Sequence, residues 1–356
     1  MNDTLPTLHV VTASQRRGAE VFASDLVGAL ADQGHPGRLA ALTAGPDGGD
    51  QLGAQVLGPA PFHPGTLRAL RSAARSSRAV VAHGSKTLPA TALALAGSRT
   101  PFVYRSIGDP QAWSGSGLRR VRTAALLQRA ARVVALWPGA ADVLGRVHGV
   151  PAAKLAVIPN GVPSDRFPPA DQATRDAARL ELDLPAGEPL VLYLGALSPE
   201  KQVGHALEAV AALPGVHVAV VGAGPDRAVL EGTAASLGLG GRAHFTGPVE
   251  KPQAALAAAD VVVLPSRTEG MPGVLLEAGF TGRPAVATDV GGVAEIVRPG
   301  ETGVLVAPGD VPALAEGLRT ALADATALGA AARRHCLTHF DMPVVAARWA
   351  EVLGTL

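Results

Sequence analysis

Short apolar runs, each too brief to be a helix, alternate with helix-length segments along all 356 residues. This alternation constrains the fold more than any other feature of the chain. A strand buried on both faces reads as one continuous apolar run, and a series of them separated by helices packs as parallel sheets covered by helices. In the first half the runs are Leu8–Thr12, Arg38–Leu42, Ala79–Ala82, Phe102–Ser106, Arg132–Leu136 and Lys154–Ile158, with helices expected over Ala19–Gln33 and Thr66–Ser77. A second series follows at Leu190–Leu194, Val216–Val221, Ala243–Thr246, Val261–Pro265, Pro284–Thr288 and Gly303–Val306. Two series predict two similar sheet domains, as the length also does at roughly 100–200 residues per domain. No internal repeat shows in the sequence. The proline-rich stretch Asn160–Ala170 reads as the linker, and Pro343–Leu356 as a final amphipathic helix.

Composition narrows the function classes. A chain that is 47% hydrophobic and 17% charged has ample material for buried cores and too little charge for disorder. The single cysteine, Cys336, excludes a disulfide framework and a cysteine-based zinc site. His335 and His339 stand four residues apart, a spacing more typical of a solvated helix face than of a metal site. The most apolar segments, Leu88–Gly97 and Ala254–Pro265, fall short of the ~18 residues a spanning helix needs. The opening MNDTLPTLHVVTAS lacks a basic leader and reads as a first strand. A soluble cytoplasmic protein is the expectation.

A net charge of +1 argues against a dedicated nucleic-acid binder. It conceals an asymmetry. Residues 1–165 hold 17 Lys and Arg against 9 Asp and Glu, a balance of +8, while the remainder holds 14 against 21, or −7. Arg68, Arg71, Arg75 and Arg78 share one helix face, and Arg119, Arg120 and Arg122 form a second cluster. A solvated face is the simpler reading of either; attraction to an anionic acceptor or membrane surface is the functional one.

The segment Gly222-Ala-Gly224-Pro-Asp-Arg227 starts like a dinucleotide fingerprint, but Arg227 occupies the place of the third glycine, which favours a plain strand-to-helix turn. The richest region is Pro265-Ser-Arg-Thr-Glu269-Gly-Met-Pro272-Gly273-Val-Leu-Leu-Glu277. A strand there enters a loop, and Pro272 precedes a helix whose first amides and positive dipole end suit a phosphate. Glu269 and Glu277 are acceptors suited to sugar and ribose hydroxyls, although a glutamate near a helix start is also a common cap. Gly195-Ala-Leu-Ser-Pro-Glu-Lys201 and Asp289-Val-Gly291-Gly292 follow other strands at the same sheet edge. Open α/β sheets bind ligands at that edge. A lysine, a helix start and glycine turns together suggest a diphosphate pocket.

In this setting the chain resembles the retaining glycosyltransferases of family 4, which have the GT-B fold. Glu269 and Glu277 match the family's E-x7-E element. Arg17-Gly18-Ala19-Glu20, Ile158-Pro-Asn160-Gly161-Val, Gly195–Lys201, Gly222-Ala-Gly224-Pro, Phe245-Thr-Gly247, Asp260–Glu277, Asp289–Glu295 and Glu301-Thr-Gly303 follow in family order across nearly the whole chain. The resemblance implies an α/β protein with two Rossmann-like doubly wound domains facing a cleft. Residues 1–165 would form an acceptor-side domain completed by a crossover helix at 343–356, and 166–342 a nucleotide-sugar-binding domain.

It further implies a metal-independent, retaining hexosyltransferase with no cofactor beyond its donor, a nucleoside-diphosphate sugar. The acceptor would be a glycan, a lipid-linked sugar or a small molecule, as in polysaccharide or glycolipid biosynthesis. Glu277 would hold the ribose and Glu269 the transferred sugar. The amides of Gly273, Val274 and Leu275 would meet the diphosphate or sugar, with Lys201 supplying positive charge. Val249 would border the nucleobase, and the turn at Gly18 would approach the diphosphate. With the +8 balance, peripheral contact with an anionic inner membrane face is also expected.

Two positions depart from the family pattern. Alanine stands at 196 where an arginine on the departing phosphate is usual, with Arg16, Arg17 or Arg267 as candidates to compensate. The strand Phe102–Ser106 is followed by Ile107-Gly-Asp109 rather than a histidine beside the reacting sugar. His83, after the preceding strand, is the candidate to face that site, and Asp109 and Trp113 to line the acceptor side. These departures keep open a catalytically degenerate relative that binds a nucleotide sugar or a partner without transfer. An epimerase or inverting transferase of the same fold, and a dinucleotide oxidoreductase, are weaker alternatives.

Overall fold

The computed structural model describes residues 5–16, 18–45, 52–113, 115–249 and 251–356. Two compact units emerge: residues 1–162 with Asp341–Leu356, and Pro163–Phe340.

The first unit is built on β1 (Thr7–Ala13), β2 (Gly37–Thr43), β3 (Gln55–Val56), β4 (Val80–His83), β5 (Phe102–Arg105), β6 (Arg132–Ala135) and β7 (Leu155–Val157). They form one sheet in the order β3-β2-β1-β4-β5-β6-β7, every pairing parallel. The short edge strand β3 has no counterpart in the sequence reading, because its two residues are exposed and carry no apolar run. One helical layer is made by Gly18–Asp32 and Met342–Gly354. Phe22, Leu26 and Leu30 of the first helix meet Met342, Val345, Ala346, Trp349 and Leu353 of the last over Val81, Val103 and Val134 of the sheet. Trp349 is fully buried there. Truncating such a side chain typically costs about 3–5 kcal/mol.

The second unit carries β8 (Leu190–Leu194), β9 (His217–Val221), β10 (Ala243–Gly247), β11 (Val261–Leu264), β12 (Ala285–Thr288) and β13 (Gly303–Val306), in the order β10-β9-β8-β11-β12-β13, again all parallel. β8, β11 and β12 are almost wholly enclosed, which is why they read as unbroken Val, Leu and Ala runs. In both sheets the chain starts in the middle, extends to one side and returns to the other. The reversal falls between β1 and β4 in one unit and between β8 and β11 in the other. At such a switch point two neighbouring loops diverge and leave a crevice at the carboxyl ends of the strands.

No helix among the described residues is long and apolar enough to cross a membrane.

Candidate functional site

The crevice of the second unit is where the sequence places its chemistry. Lys201 follows β8 and Glu269 follows β11, the two strands flanking the reversal. Their side chains meet, Lys201 Nζ lying 2.7 Å from Glu269 Oε1. The Glu269 side chain keeps only 9% of its surface exposed, and Ser266 Oγ also donates to Oε1 at 2.7 Å. Ser266 is fully buried. A carboxylate held by a cation and a hydroxyl has little freedom to turn, so its second oxygen is aimed by the fold.

The loop bearing Glu269 is pinned on both sides. Towards β8, Arg267 N donates to Glu200 O at 2.8 Å. Towards β12, Gly292 N donates to Gly270 O at 2.7 Å, and Thr288 Oγ1 donates to Ser266 O at 2.5 Å. Gly291 makes this approach feasible: its φ is +58°, and a Cβ there would lie 2.1 Å from Glu269 O. The glycine turn at 291–292 thus serves backbone packing beneath Glu269.

After the loop comes the helix Gly273–Thr281, with Pro272 in extended conformation as its cap residue. The first amides of a helix lack intrahelical acceptors and carry its positive dipole end. Gly273 and Val274 are in that position, whereas Leu275 N already donates to Pro272 O at 3.3 Å. Glu277 lies one turn further in, its carboxylate 3.8 Å from where a Cβ on Gly273 would be. Burial raises its pKa to about 7, Arg166 opposing. Glu269 and Glu277 are therefore inequivalent, one paired with a cation and the other desolvated.

The loop Gly195–Lys201 is shaped by two further contacts. Tyr193 Oη donates to Ala196 O at 2.6 Å, and Leu197 N to Ala223 O at 2.9 Å. The Gly222-Ala-Gly224 turn packs so closely here that a Cβ on Gly222 would sit 1.8 Å from Gly195 O, and one on Gly224 2.1 Å from Leu197 O. The plain-turn reading of that motif accounts for both glycines. Ala196 is exposed, and so is Arg267 on the neighbouring loop.

Of the residues singled out in the sequence, Lys201, Glu269, Gly273, Val274, Leu275 and Glu277 lie together on adjoining segments at one sheet edge. Val249 belongs to the same unit, half-buried beyond the edge strand β10. Gly18 and His83 belong to the first unit. Gly18 is exposed at the start of the helix after β1. His83, expected beside a reacting sugar, is instead interior: it is 2% exposed, with Nε2 3.1 Å from His9 Nδ1 and Nδ1 3.5 Å from Arg105 Nη1. Burial, His9 and Arg105 together hold its pKa well below the usual range, so the ring is neutral at pH 7. Arg105, fully buried, stacks 3.7 Å over the Phe22 ring and bonds Asn160. That polar network fills the space behind β4.

Arg17 and the side chain of Trp113 lie outside the described residues. Asp109 accepts from Gln111 N at 2.9 Å, a local turn contact. His335 bonds the carbonyl of Glu295 and Cys336 is buried, its thiol pushed up to about 12 by desolvation. Sequence reasoning missed Ser266 and Arg166. Ser266 precedes Glu269 by one turn at a strand end, a signal that was available; Arg166 sits in an irregular stretch and had none.

Comparison with known proteins bears on this geometry. The family model for glycosyl transferases group 1 matches residues 174–335, and that for glycosyltransferase family 4 matches residues 16–166. A D-inositol 3-phosphate glycosyltransferase of Mycobacterium avium is 37% identical over 234 residues, covering 62% of this chain and 54% of the relative. A 2-deoxystreptamine glucosyltransferase of Streptomyces kanamyceticus is 35% identical over 207 residues, covering 56% and 53%. The chain thus spans about half the length of these curated relatives. Among solved structures, Anabaena HepE in complex with UDP and glucose superposes with a TM-score of 0.86 at 23% identity, over 99% of this chain and 100% of HepE. WaaG, a glycosyltransferase involved in lipopolysaccharide biosynthesis, gives 0.74 at 19% identity, over 98% and 99%. These likenesses identify the fold as GT-B. Two family models that between them take in both sheets leave one assignment: the chain belongs to the family 4-type glycosyltransferases.

Proposed function

We propose that the chain is a retaining glycosyltransferase that moves a hexose-type sugar from a nucleoside diphosphate to a hydroxyl acceptor, without a metal ion. The observation that carries this reading is the Lys201–Glu269 pair at the switch point of the second sheet, beside the open start of the helix that carries Glu277. The amides of Gly273 and Val274, with Lys201, supply positive potential to the diphosphate, the service a magnesium ion gives elsewhere. Leu275 contributes through its partly engaged amide. Glu277 takes the ribose hydroxyls and Glu269 those of the sugar, while Val249 flanks the base. Arg267, exposed one strand away from Ala196, provides the cation that position 196 lacks. His83 lies too deep to touch substrate, and its role is to position the end of β4.

In this reading the bond from the anomeric carbon to the diphosphate oxygen breaks while a bond to the acceptor oxygen forms on the same face. The acceptor's proton passes to the departing phosphate, and the glutamates position rather than attack. HepE was solved with UDP, so UDP is the first nucleotide to test. The acceptor remains a glycan, lipid-linked or small-molecule hydroxyl held by the first unit. Its +8 balance supports an anionic acceptor or a peripheral membrane contact. Arg71, however, caps carbonyls of Ala94 and Ala96, and Arg78 bonds Leu353 O, so two arginines of that stripe already have structural work.

The test is a thermal-shift panel with UDP, GDP, ADP, TDP and NAD in EDTA, followed by product analysis with the matching donor sugar. One nucleoside diphosphate should raise Tm, NAD should not, and NMR of the product should show a retained anomeric configuration. An active protein unaffected by Glu269→Ala sinks the site assignment. Stabilisation by a nucleotide with no transfer to any acceptor favours the degenerate alternative, for which Ala196 is the specific observation.

A further inference from the structure

The opposite edge of the second sheet holds a cavity of about 650 Å³. It is bounded by residues that enter the strands: Pro189 before β8, Asp260 before β11, and Gly282 and Arg283 before β12. A five-residue strand separates this edge from Lys201 by about 15 Å.

Four guanidiniums line the cavity, Arg175, Arg179, Arg283 and Arg333, against two carboxylates, Asp260 and Glu188. Asp260 is fully engaged: Oδ1 accepts from Arg175 Nη1 at 2.5 Å, and Oδ2 from Arg179 Nη2 at 3.0 Å and Leu190 N at 2.8 Å. Glu188 is exposed. Neither Arg283 nor Arg333 is ion-paired with a carboxylate among the described residues, although the Asp260 charge reaches Arg283. Arg283 donates to the carbonyls of Leu256 and Ala257 at 3.3 and 3.0 Å and to Ala170 at 3.4 Å; Arg333 donates to those of Phe280 and Phe167.

The bonds to Leu256, Ala257 and Phe280 satisfy helix-end carbonyls that have no intrahelical donor. They do not neutralise two whole charges, and a neutral donor would satisfy a carbonyl as well. Arg283 is only 6% exposed, so its charge is held away from water. Arg175 Nε is buried with no partner. Four positive and two negative groups leave a surplus of two charges facing a cavity of a size that holds small ligands. A phosphomonoester carries about −1.5 to −2 charge at neutral pH, and its oxygens match the guanidinium fork.

We propose that this cavity is a second ligand site, distinct from the Glu269 edge, that binds a small phosphorylated molecule through its phosphate by Arg175, Arg283 and Arg333. The site does not depend on the glycosyl-transfer reading, since its evidence lies at the other end of the sheet.

The test is calorimetric titration of the protein with inorganic phosphate and pyrophosphate, against chloride at matched ionic strength. In a Lys201→Met background, which removes the cation proposed to hold a diphosphate at the opposite edge, saturable binding is expected to persist and to weaken at least about tenfold when Arg333→Gln or Arg175→Gln is added. Circular dichroism checks the fold of each variant. Should Arg333→Gln fail to fold, Arg175→Gln decides alone, because Arg175 is partly exposed and its loss leaves Asp260 paired with Arg179. No binding beyond the chloride control overturns the proposal. So does binding that disappears in Lys201→Met yet survives both arginine variants, which would place phosphate at the Glu269 edge.

Discussion

Replacing Glu277 by glutamine offers a quantitative test of the candidate site, because its predicted effect changes with pH. Burial lifts the Glu277 carboxyl from the ordinary 4.5 to about 7 in the folded protein. The native state therefore binds more protons than the unfolded state between those values, and stability falls as pH rises through the window. Stability is fully present below about 4.5 and the loss is complete above about 7. The gap corresponds to about 3 kcal/mol at pH 8. Glutamine is nearly isosteric and never ionises, so Glu277→Gln should match the wild type near pH 4.5 and exceed its stability by up to about 3 kcal/mol at pH 8. Urea unfolding of both proteins at pH 4.5, 6 and 8 measures this directly. In the proposed function Glu277 holds the ribose hydroxyls, so the same variant should also bind a nucleoside diphosphate more weakly, since glutamine loses the charge that strengthens those hydrogen bonds. A stability difference that does not vary with pH, or a wild type more stable than the variant at pH 8, refutes the burial argument.

Three other perturbations follow from the same geometry. In the proposed function the lysine stands where charge develops on the departing phosphate, so Lys201→Met should lower transfer by on the order of 10²–10³; single-turnover kinetics with saturating donor reads this, with circular dichroism showing that the variant stays folded. Ser266→Ala removes a buried hydroxyl that bonds Glu269 at 2.7 Å, and should cost about 1.5–3 kcal/mol in chemical denaturation while leaving Lys201 in place. Gly291→Ala would force a Cβ to within 2.1 Å of Glu269 O at a φ of +58°. It should destabilise the second unit by about 3 kcal/mol and displace the loop, with donor binding weakened even in the folded fraction.

The two-sheet architecture was legible because parallel strands are buried on both faces. β8 and β13 have the bounds expected from their apolar runs, and most others differ by a residue at an end. The elements that escaped are those with little burial to mark them, as β3 shows. Glu269 and Glu277 could be found because their spacing survives in one contiguous segment. What the sequence could not show was their difference in environment, since Lys201 pairs with Glu269 from 68 positions away, and the burial that raises Glu277, which Arg166 opposes from 111 positions away, arises from packing. His83 shows the opposite failure. A histidine ending a strand at the ligand edge invites a catalytic reading, yet whether its ring turns out to solvent or in towards His9 depends on side chains from distant strands. The arginines about the Asp260 cavity were equally silent: Arg175 and Arg179 share the helix Gln172–Glu181, Arg283 lies in the turn before β12 and Arg333 on the helix Ala325–His339, and together they form no contiguous motif.

The last helix has a consequence for how this chain reaches its native state. Residues Pro163–Phe340 form one uninterrupted unit, whereas the first unit lacks Met342, Val345, Trp349 and Leu353 until the whole of the second unit has been made. The second unit can thus fold on the ribosome as soon as it emerges, while the first waits with the surface of Phe22, Leu26 and Leu30 uncovered. The order of maturation runs against the order of translation. Loss of residues 342–356 should therefore leave chains with a mature second unit and an exposed core in the first, the form most open to chaperones and proteases.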